Sequence, residues 1–430
     1  MKTAVVGAGW AGLAAAVHLH QANHRVHIYE AAPQAGGRAR PIDPPALGQS
    51  IDNGQHLLLG AYRETLGLMR SLRVDPEDVC HAQPLALQSA DRQLRLRFWP
   101  LPAPAHRLGA LIGGRGLDGW HGRRHLLRVL CALDPDAIDP WTTVAHWLRQ
   151  LDCPPGLLRR LWGPLCLAAT NTDIARAQAQ LFARVLRDSL GHDAQASRLY
   201  IPRSRLHDLW PAQACALLGD HVRFRRVHAL SPEPDGRWSI DGESYDHVIL
   251  AVPPGEARRL ISPLPRAAQY LDAWSVPQHA AIGTLTLRLS QPWDSGHAMA
   301  LLWDDPDREA WGQWLFDRSA TARSPADRRL VHVVVSAADR YADRSTADIA
   351  TGILSQIRTQ VARPLPSIEA QALVTEKRAT FDAVPGLRRP TTITPWPGLL
   401  LAGDWTDTGY PAVLEGAVRS GLRAADRVMR

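Results

Sequence analysis

Residues 2–30 of this 430-residue chain read KTAVVGAGWAGLAAAVHLHQANHRVHIYE, and their pattern sets the fold class. The apolar run Lys2–Val6 predicts a buried strand that ends at Gly7. The alanine-rich segment from Trp10 predicts a helix packed closely on a sheet. Asn23 is expected to end this helix in the left-handed backbone conformation. Residues 25–30 predict a second strand. Strand, glycine turn, helix and strand within about 30 residues form a βαβ unit.

The glycines of this unit form a G-x-G-x-x-G motif at residues 7–12. Gly7 permits a tight turn, Gly9 lets a pyrophosphate approach the backbone, and Gly12 lets the helix pack closely on the strand. The helix N-terminus offers N–H groups and a positive dipole end to phosphates. Glu30 closes the second strand, where a carboxylate accepts hydrogen bonds from ribose hydroxyls and disfavours a 2′-phosphate. The motif therefore predicts a dinucleotide site for a cofactor other than NADP.

The rest of the chain alternates between helical and strand patterns. Apolar residues recur at three- and four-residue spacing between about residues 101 and 218, which predicts helices. Alternating runs at residues 283–290 and 330–337 predict an antiparallel sheet. Further strands are predicted at residues 222–227, 246–252 and 399–404, and further helices at residues 343–361 and 412–429. This order predicts two interleaved domains, with pieces of the cofactor domain at both ends and in the middle.

Composition narrows the function classes. Lys and Arg number 49 against 42 Asp and Glu, a formal net charge of +7, but no basic block carries interleaved aromatic residues, so we expect no nucleic-acid binding. The five cysteines form no CxxC pair, which favours a reducing compartment, and no Cys/His spacing predicts a metal site. No apolar run reaches the roughly 18 residues that span a bilayer. We therefore expect a cytoplasmic protein, and a peripheral contact with the inner face of the cell membrane stays open.

Two further motifs carry a family resemblance. GGRAR at residues 36–40 and LAGDWTDTGYP at residues 401–411, together with the glycine motif, resemble the superfamily of FAD-dependent amine oxidases and phytoene desaturases. Pro41 departs from that pattern, because those flavoproteins typically carry Ser or Thr there. The resemblance implies an α/β fold: a Rossmann-type FAD-binding domain of the GR2-like type (residues 1–65, 205–256 and 385–430), interleaved with an α+β substrate domain (residues 66–204 and 257–384). The substrate domain would have a helical part at about residues 101–204 and an antiparallel sheet at about 257–384.

The resemblance also implies FAD as the cofactor and assigns roles to individual residues. Asp404 would bind the ribitol or pyrophosphate side, Ala412 and Val413 would flank the flavin N1/O2 edge, and Val227 would pack near the adenine. The motif and the resemblance together predict a cofactor site formed by Gly7, Gly9, Trp10, Ala11, Gly12, Glu30, Ala31, Gly37, Arg38, Asn53, Gly54, Gln55, His56, Val227, Ala251, Gly403, Asp404, Pro411, Ala412 and Val413.

A finer resemblance involves GAGWAGLAAAV, DNGQHLLLGAYRETL at residues 52–66, and AGDWTDTGYPAVLEGAVRSG. These stretches are similar to the hydroxysqualene dehydroxylases of bacterial hopanoid synthesis. The reaction this implies converts hydroxysqualene, a C30 alcohol, and reduced FAD into squalene, water and oxidised FAD. A general acid would protonate the leaving hydroxyl, and hydride would quench the allylic cation. The candidate acids are His56, Asp52, Tyr410 and Asp407, and we favour His56 because its ordinary pKa lies nearest neutrality.

Other interpretations stay open at this point. A flavin amine oxidase or a carotenoid-type desaturase would share the fold and most cofactor residues. A non-catalytic prenyl-binding escort protein would share the fold and the N-terminal glycines, without flavin catalysis. The chain carries no second dinucleotide motif, so the electron donor is not identified, and neither is the oligomeric state. Residues 98–116, FWPLPAPAHRLGALIGGRG, fit an interfacial membrane contact or a loop that covers the substrate channel.

Overall fold

The computed structural model describes residues 1–99, 101–102, 105–190, 194–275 and 278–430. Its strands in chain order are β1 Lys2–Val6, β2 Arg25–Tyr29, β3 Pro41–Ile42, β4 Ile51–Asp52, β5 Leu58–Leu59, β6 Cys80–Gln83, β7 Ala86–Gln88, β8 Arg95–Arg97, β9 Leu199–Pro202, β10 Val222–Arg223, β11 Leu230–Pro232, β12 Trp238–Ile240, β13 Glu243–Tyr245, β14 His247–Leu250, β15 His279–Leu289, β16 Met299–Leu301, β17 Trp314–Asp317, β18 Leu330–Val335, β19 Ile368–Phe381 and β20 Leu399–Leu401.

The α-helices in chain order are α1 Trp10–Gln21, α2 Arg63–Ser71, α3 Pro76–Val79, α4 Ala105–Gly113, α5 Gly119–Cys131, α6 Val144–Gln150, α7 Pro155–Leu157, α8 Gly163–Thr170, α9 Ala179–Leu190, α10 Leu206–Leu209, α11 Pro211–Leu218, α12 Pro254–Ile261, α13 Ala267–Asp272, α14 Thr346–Gln360 and α15 Leu414–Met429. Short 3-10 helices lie at Pro135–Ala137, Gly219–His221, Pro306–Arg308, Asp327–Arg329 and Ala338–Tyr341. A π-helical turn, Leu158–Trp162, joins α7 to α8.

A five-stranded parallel sheet forms the first half of the fold. Its strand order is β10-β2-β1-β14-β20, so strands from the start, middle and end of the chain lie side by side. The strands are near-continuous apolar runs because both faces of the sheet are covered. One apolar cluster packs α1 and α15 on one face, and another packs β11–β13, α12 and α13 on the other. The predicted α/β class is confirmed.

Small residues bring α1 very close to its neighbours. A Cβ atom placed on Gly12 would lie 1.8 Å from the carbonyl oxygen of Gly7, at the end of β1. A Cβ atom placed on Gly421 of α15 would lie 2.0 Å from the carbonyl oxygen of Ala11. These glycines let both helices lie directly against the backbone, and this contact fixes the first turn of α1 beside the sheet edge.

A five-stranded antiparallel sheet forms the second half, in the order β16-β17-β18-β15-β19. Helix α14 packs on one face through Ile353 and Ile357, against alternate residues of β15 such as Leu285. The other face turns toward α5, α6 and α9, which share an apolar cluster with Met299, Phe316 and neighbouring side chains. The sheet predicted from the alternating runs is therefore present, and one of its faces points to the middle of the molecule.

Some predicted elements differ from those observed. β10 ends at Arg223 rather than residue 227, because the backbone turns there and Arg225 N donates to Arg223 O at 2.9 Å. Inside the predicted helical region, β9 pairs with β5 and β6, since the apolar run LYIP suits a fully buried strand. Helix α15 begins at Leu414, two residues later than predicted. The domain bounds stay a prediction.

Candidate active site

A cavity of about 1340 Å³ runs from the carboxyl ends of β1 and β2 to the inner face of the antiparallel sheet. Ligands of open α/β sheets bind at this edge, outside the carboxyl ends of the strands. The segments that line the dinucleotide end are residues 6–11, 29–32, 36–40, 53–57, 251–256, 403–405 and 412–414. The same cavity continues into an apolar branch between α8, α9 and the sheet. One continuous space therefore joins a polar end to an apolar one.

The glycine motif presents backbone to this cavity. A Cβ atom placed on Gly9 would meet no described protein atom closer than 3.8 Å, the Cα atom of Gly37, whereas one on Gly12 would collide with backbone. Glu30 lies beside the loop and accepts hydrogen bonds from the N–H groups of Ala8 and Ala32, both at 2.8 Å. The space in front of Gly9 is thus open to a ligand, and a carboxylate stands at its rim.

Two helix N-termini point at the cavity. Trp10 and Ala11, the first residues of α1, line it, and so do Val413 and Leu414 at the start of α15. The first four N–H groups of a helix have no partner within the helix, and the dipole makes this end positive. Both ends therefore suit phosphate or other electron-rich groups. This observation, together with the open space at Gly9, fits the pyrophosphate and the flavin edge of FAD.

Arg38 and Asp404 form an ion pair on the cavity wall. The Nη2 atom of Arg38 lies 2.6 Å from both carboxylate oxygens of Asp404, and Nη1 donates to Ala379 O at 2.6 Å. The neighbouring Asp404 raises the pKa of Arg38, so the guanidinium stays charged. About 44% of the Arg38 side chain is exposed to the cavity, whereas Asp404 is buried. A fixed positive charge therefore remains available to a diphosphate.

The apolar branch of the cavity is lined by side chains from α8, α9, β5, β7, β9, the residues just before β5 and β7, and the antiparallel sheet. They are Leu57, Leu59, Leu85, Leu87, Leu165, Leu167, Phe182, Val185, Leu186, Leu190, Leu199, Ile282, Met299, Trp314, Phe316 and Val334. Polar side chains replace them on β15 and β19, where Thr284, Glu376 and Arg378 line the cavity. Asn53 donates to Glu376 there at 3.0 Å. The arrangement suits a long hydrocarbon with a polar group at one point.

Among the four candidate acids, His56 lines the cavity. Its Nδ1 atom lies 2.9 Å from Gly54 O, and because a carbonyl only accepts, Nδ1 carries the proton. Burial and the nearby Arg38 lower the pKa of His56, so the neutral ring predominates at neutral pH. The Nε2 lone pair is then free to accept a hydrogen bond from a substrate hydroxyl, and protonation at lower pH turns Nε2 into a donor.

The other three candidates lie outside the residues described as lining the cavity. Asp52 accepts from Leu206 N at 2.9 Å, and burial raises its pKa to about 7. Tyr410 bonds Asp188 and receives a hydrogen bond from Arg419 at 2.6 Å; burial and Asp188 raise its pKa to about 12. The Asp407 side chain is 56% exposed and pairs with Arg389 at 3.4 Å. Each of these groups already has structural partners.

The predicted cofactor residues lie together along the cavity, with the exception of Gly12, which faces the backbone of Gly7, and Pro411. Sequence reasoning missed Tyr62, Thr284 and Glu376, which line the cavity beside them. Tyr62 stands inside the DNGQHLLLGAY stretch, so its position was a signal, but nothing in the pattern distinguished it from a core aromatic. Burial raises the pKa of Tyr62 above its usual value, so its phenol keeps its proton.

Within the described ranges, no group of three or more His, Cys, Asp or Glu side chains is arranged to hold a metal ion. Across the same part of the chain, no helix is long and apolar enough to cross a membrane.

The chain is similar to known flavoproteins. The family model described as flavin containing amine oxidoreductase matches residues 10–429. The hydroxysqualene dehydroxylase of Rhodopseudomonas palustris is 32% identical and aligns over 99% of this chain and 97% of its own length. The enzyme of that name from Sinorhizobium fredii is 29% identical over 98% and 97%. Among solved structures, cyclohexylamine oxidase from Brevibacterium oxydans has a TM-score of 0.70 at 17% identity and covers 100% of this chain and 99% of its own.

Proposed function

The chain belongs to the family of flavin containing amine oxidoreductases, and from that premise we propose that it is an FAD-dependent enzyme that removes the hydroxyl group of hydroxysqualene to give squalene. The observation that carries the proposal is the single cavity that joins the glycine motif to an apolar branch. An amine oxidase of small amines needs no apolar branch of this extent. A C30 alcohol needs one, with a polar group where the hydroxyl lies.

The residues at the polar end fit FAD. Gly9 would leave room for the pyrophosphate, Glu30 would meet the ribose, and Arg38, held by Asp404, would present N–H groups to the phosphates. The start of α15 would offer its N–H groups to the flavin edge. When bound, reduced FAD supplies the hydride that replaces the hydroxyl group. The protein's own part is to hold FAD and the substrate next to each other and to donate a proton to the hydroxyl group that leaves.

The apolar branch binds the hydrocarbon and excludes water. Phe182, Leu186 and Phe316 are buried side chains that face it from opposite walls. Water captures an allylic cation where it can reach it, so an apolar wall that excludes water prevents this side reaction. Burying the chain also removes a large apolar area from water, which favours binding in proportion to that area. Substrate affinity should therefore depend on chain length.

We infer that His56 and Tyr62 bind the hydroxyl that leaves. Both line the cavity, and they differ in their proton state. The neutral His56 ring accepts from the hydroxyl through Nε2 and donates to the leaving oxygen once protonated. Tyr62 keeps its phenol proton throughout the neutral pH range, so it can donate a hydrogen bond to the leaving oxygen without first being protonated. The two roles predict different pH dependences, and the variants His56→Gln and Tyr62→Phe separate them.

An anaerobic reaction tests the proposed function. The reduced holoenzyme is mixed in detergent with hydroxysqualene, the oxidised holoenzyme is mixed with a primary amine or with phytoene, and flavin absorbance and products are followed. We expect reoxidation and stoichiometric squalene with hydroxysqualene alone. Oxidised enzyme that is reduced by the amine would favour an amine oxidase, and a more unsaturated polyene from phytoene would favour a desaturase. Absence of squalene would contradict the proposal.

A further inference from the structure

Exposed apolar side chains are concentrated in one short part of the chain. Among the described residues, the exposed large apolar side chains of residues 99–141 are Trp99, Leu101, Leu108, Ile112, Trp120, Leu127 and Trp141. Four of them lie on α4 and α5: Ile112 is 63% exposed and Trp120 is 77% exposed. Exposed apolar patches on a folded protein mark sites of interaction.

The four side chains form stripes on the two helices. Leu108 and Ile112 are four residues apart on α4, and Trp120 and Leu127 are seven apart on α5, so each pair shares one helix face. Arg123 of α5 donates to the carbonyl oxygens of α4 and the segment after it, Leu111 and Gly114, both at 2.9 Å. We call the surface formed by Leu108, Ile112, Trp120, Leu127 and Arg124 the α4–α5 face.

The α4–α5 face lies in a positively charged segment. Residues 99–131 contain five arginines and one acidic residue, Asp118, which forms an ion pair with Arg160. Arg115 and Arg124 are exposed. Exposed Trp and Leu combined with arginines are the features by which helices lie on an anionic lipid surface. Residues 100, 103 and 104 of the stretch predicted to contact a membrane lie outside the described residues.

The face is next to the apolar branch of the cavity. Arg107 of α4 donates through Nε to Leu190 O at 3.2 Å, and Phe98 N donates to Leu85 O at 3.2 Å. Leu190 and Leu85 both line the apolar branch. Helix α4 and the segment before it are therefore hydrogen-bonded directly to residues that line the apolar branch.

We propose that the α4–α5 face seats the protein on an anionic phospholipid bilayer, so that the substrate passes from lipid into the apolar branch. The choice of a bilayer rests on the proposed function, because a C30 alcohol dissolves in lipid. The arginines select negatively charged headgroups by charge complementarity, and Trp120 and Ile112 enter the interface between headgroups and acyl chains.

Co-sedimentation with vesicles tests this proposal. The holoenzyme is mixed with vesicles of phosphatidylcholine alone or of equal parts phosphatidylcholine and phosphatidylglycerol. We expect sedimentation with the mixed vesicles, weakened about tenfold or more by Ile112→Asp or Arg124→Glu. Ile393→Asp is the matched control, because Ile393 is 51% exposed and lies elsewhere on the surface. It should sediment like the original protein.

Three results would overturn the proposal. The first is no sedimentation with either kind of vesicle, and the second is an equal loss of sedimentation in Ile112→Asp and Ile393→Asp. The third is a different oligomeric mass for Ile112→Asp than for the original protein in lipid-free solution, which would indicate a protein–protein interface. A second readout separates this proposal from the proposed function. Ile112→Asp should convert hydroxysqualene normally in detergent and slowly from vesicles. Failure of the original protein to convert hydroxysqualene in detergent would refute the function but leave the sedimentation result standing.

Discussion

Replacing Gly9 or Gly12 of the G-x-G-x-x-G motif by alanine should have different consequences: the first should weaken FAD binding, and the second should destabilise the fold. At Gly9, φ is −71° and ψ is 178°, which alanine adopts freely, and the new Cβ atom would lie 3.8 Å from its nearest described protein atom. At Gly12, the new Cβ atom would lie 1.8 Å from Gly7 O, so the helix or the turn must move by roughly 1 Å. Gly9→Ala therefore leaves the fold intact, and Gly12→Ala strains it.

The expected magnitudes follow from these distances. Gly12→Ala should lower the free energy of unfolding by about 3 kcal/mol or more, at the upper end for an overpacked site. Gly9→Ala should change it by less than about 0.5 kcal/mol, but the methyl group occupies the pyrophosphate's approach, so the Kd for FAD should rise about tenfold or more, or about 1.4 kcal/mol.

Urea unfolding of the apoprotein measures the first quantity and titration with FAD the second. The reasoning is refuted if Gly9→Ala binds FAD like the original protein, or if Gly12→Ala unfolds at the same urea concentration.

Further predictions concern the proton, the buried acid and the apolar branch. The single-turnover rate should rise as pH falls, with a midpoint below 6.5, because burial lowers the pKa of His56. The variant His56→Gln should not show this rise. A rate that is independent of pH in both the original protein and the variant would instead assign the proton to Tyr62. Because the pKa of Asp52 is raised to about 7 in the folded protein, the folded state binds more protons than the unfolded one, and its stability falls by about 2 to 3 kcal/mol between pH 5 and 8. Asp52→Asn should remove this loss in urea unfolding at the two pH values, and an unchanged slope would contradict the burial of Asp52. Val185→Trp should narrow the apolar branch and raise the Kd for the C30 substrate about tenfold while FAD affinity stays the same, and equal effects on both ligands would contradict the separation of the two ends.

The βαβ unit was predictable because each of its residues is constrained by backbone geometry. Gly12 is required because a Cβ atom there would lie 1.8 Å from Gly7 O, and Asn23 adopts a φ of 61° at the end of α1. Such constraints are local, so the sequence pattern expresses them directly. A βαβ unit has parallel strands, and β1 and β2 pair in parallel as that unit requires.

The apolar branch was not predictable to the same extent. Phe182 and Ala183 are both buried on α9, yet Phe182 lines the cavity and Ala183 packs in the core. An apolar face looks the same in sequence whether it meets a neighbouring side chain or an empty space. The position of that space depends on how α8 and α9 are held against an antiparallel sheet whose first strand in the chain, β15, begins only at His279.

The orientations of the candidate acid side chains could not be predicted either, because several of their hydrogen-bond and ion-pair partners lie far away in the sequence. Tyr410 is held by Asp188 as well as by Arg419, and Asp407 is held by Arg389; Asp188 and Arg389 lie outside the motif that contains the two acids. His56 is oriented by Gly54, two residues away, although the sequence favoured it for another reason, its ordinary pKa near neutrality.

Isotope transfer tests the central claim most directly. The holoenzyme is reduced without oxygen in D₂O, where the transferable hydrogen of reduced flavin exchanges with solvent, and is mixed with unlabelled hydroxysqualene. The squalene formed should carry one deuterium, at the carbon that bore the hydroxyl group. Unlabelled squalene, or a flavin that stays reduced with the alcohol unchanged, would contradict the account.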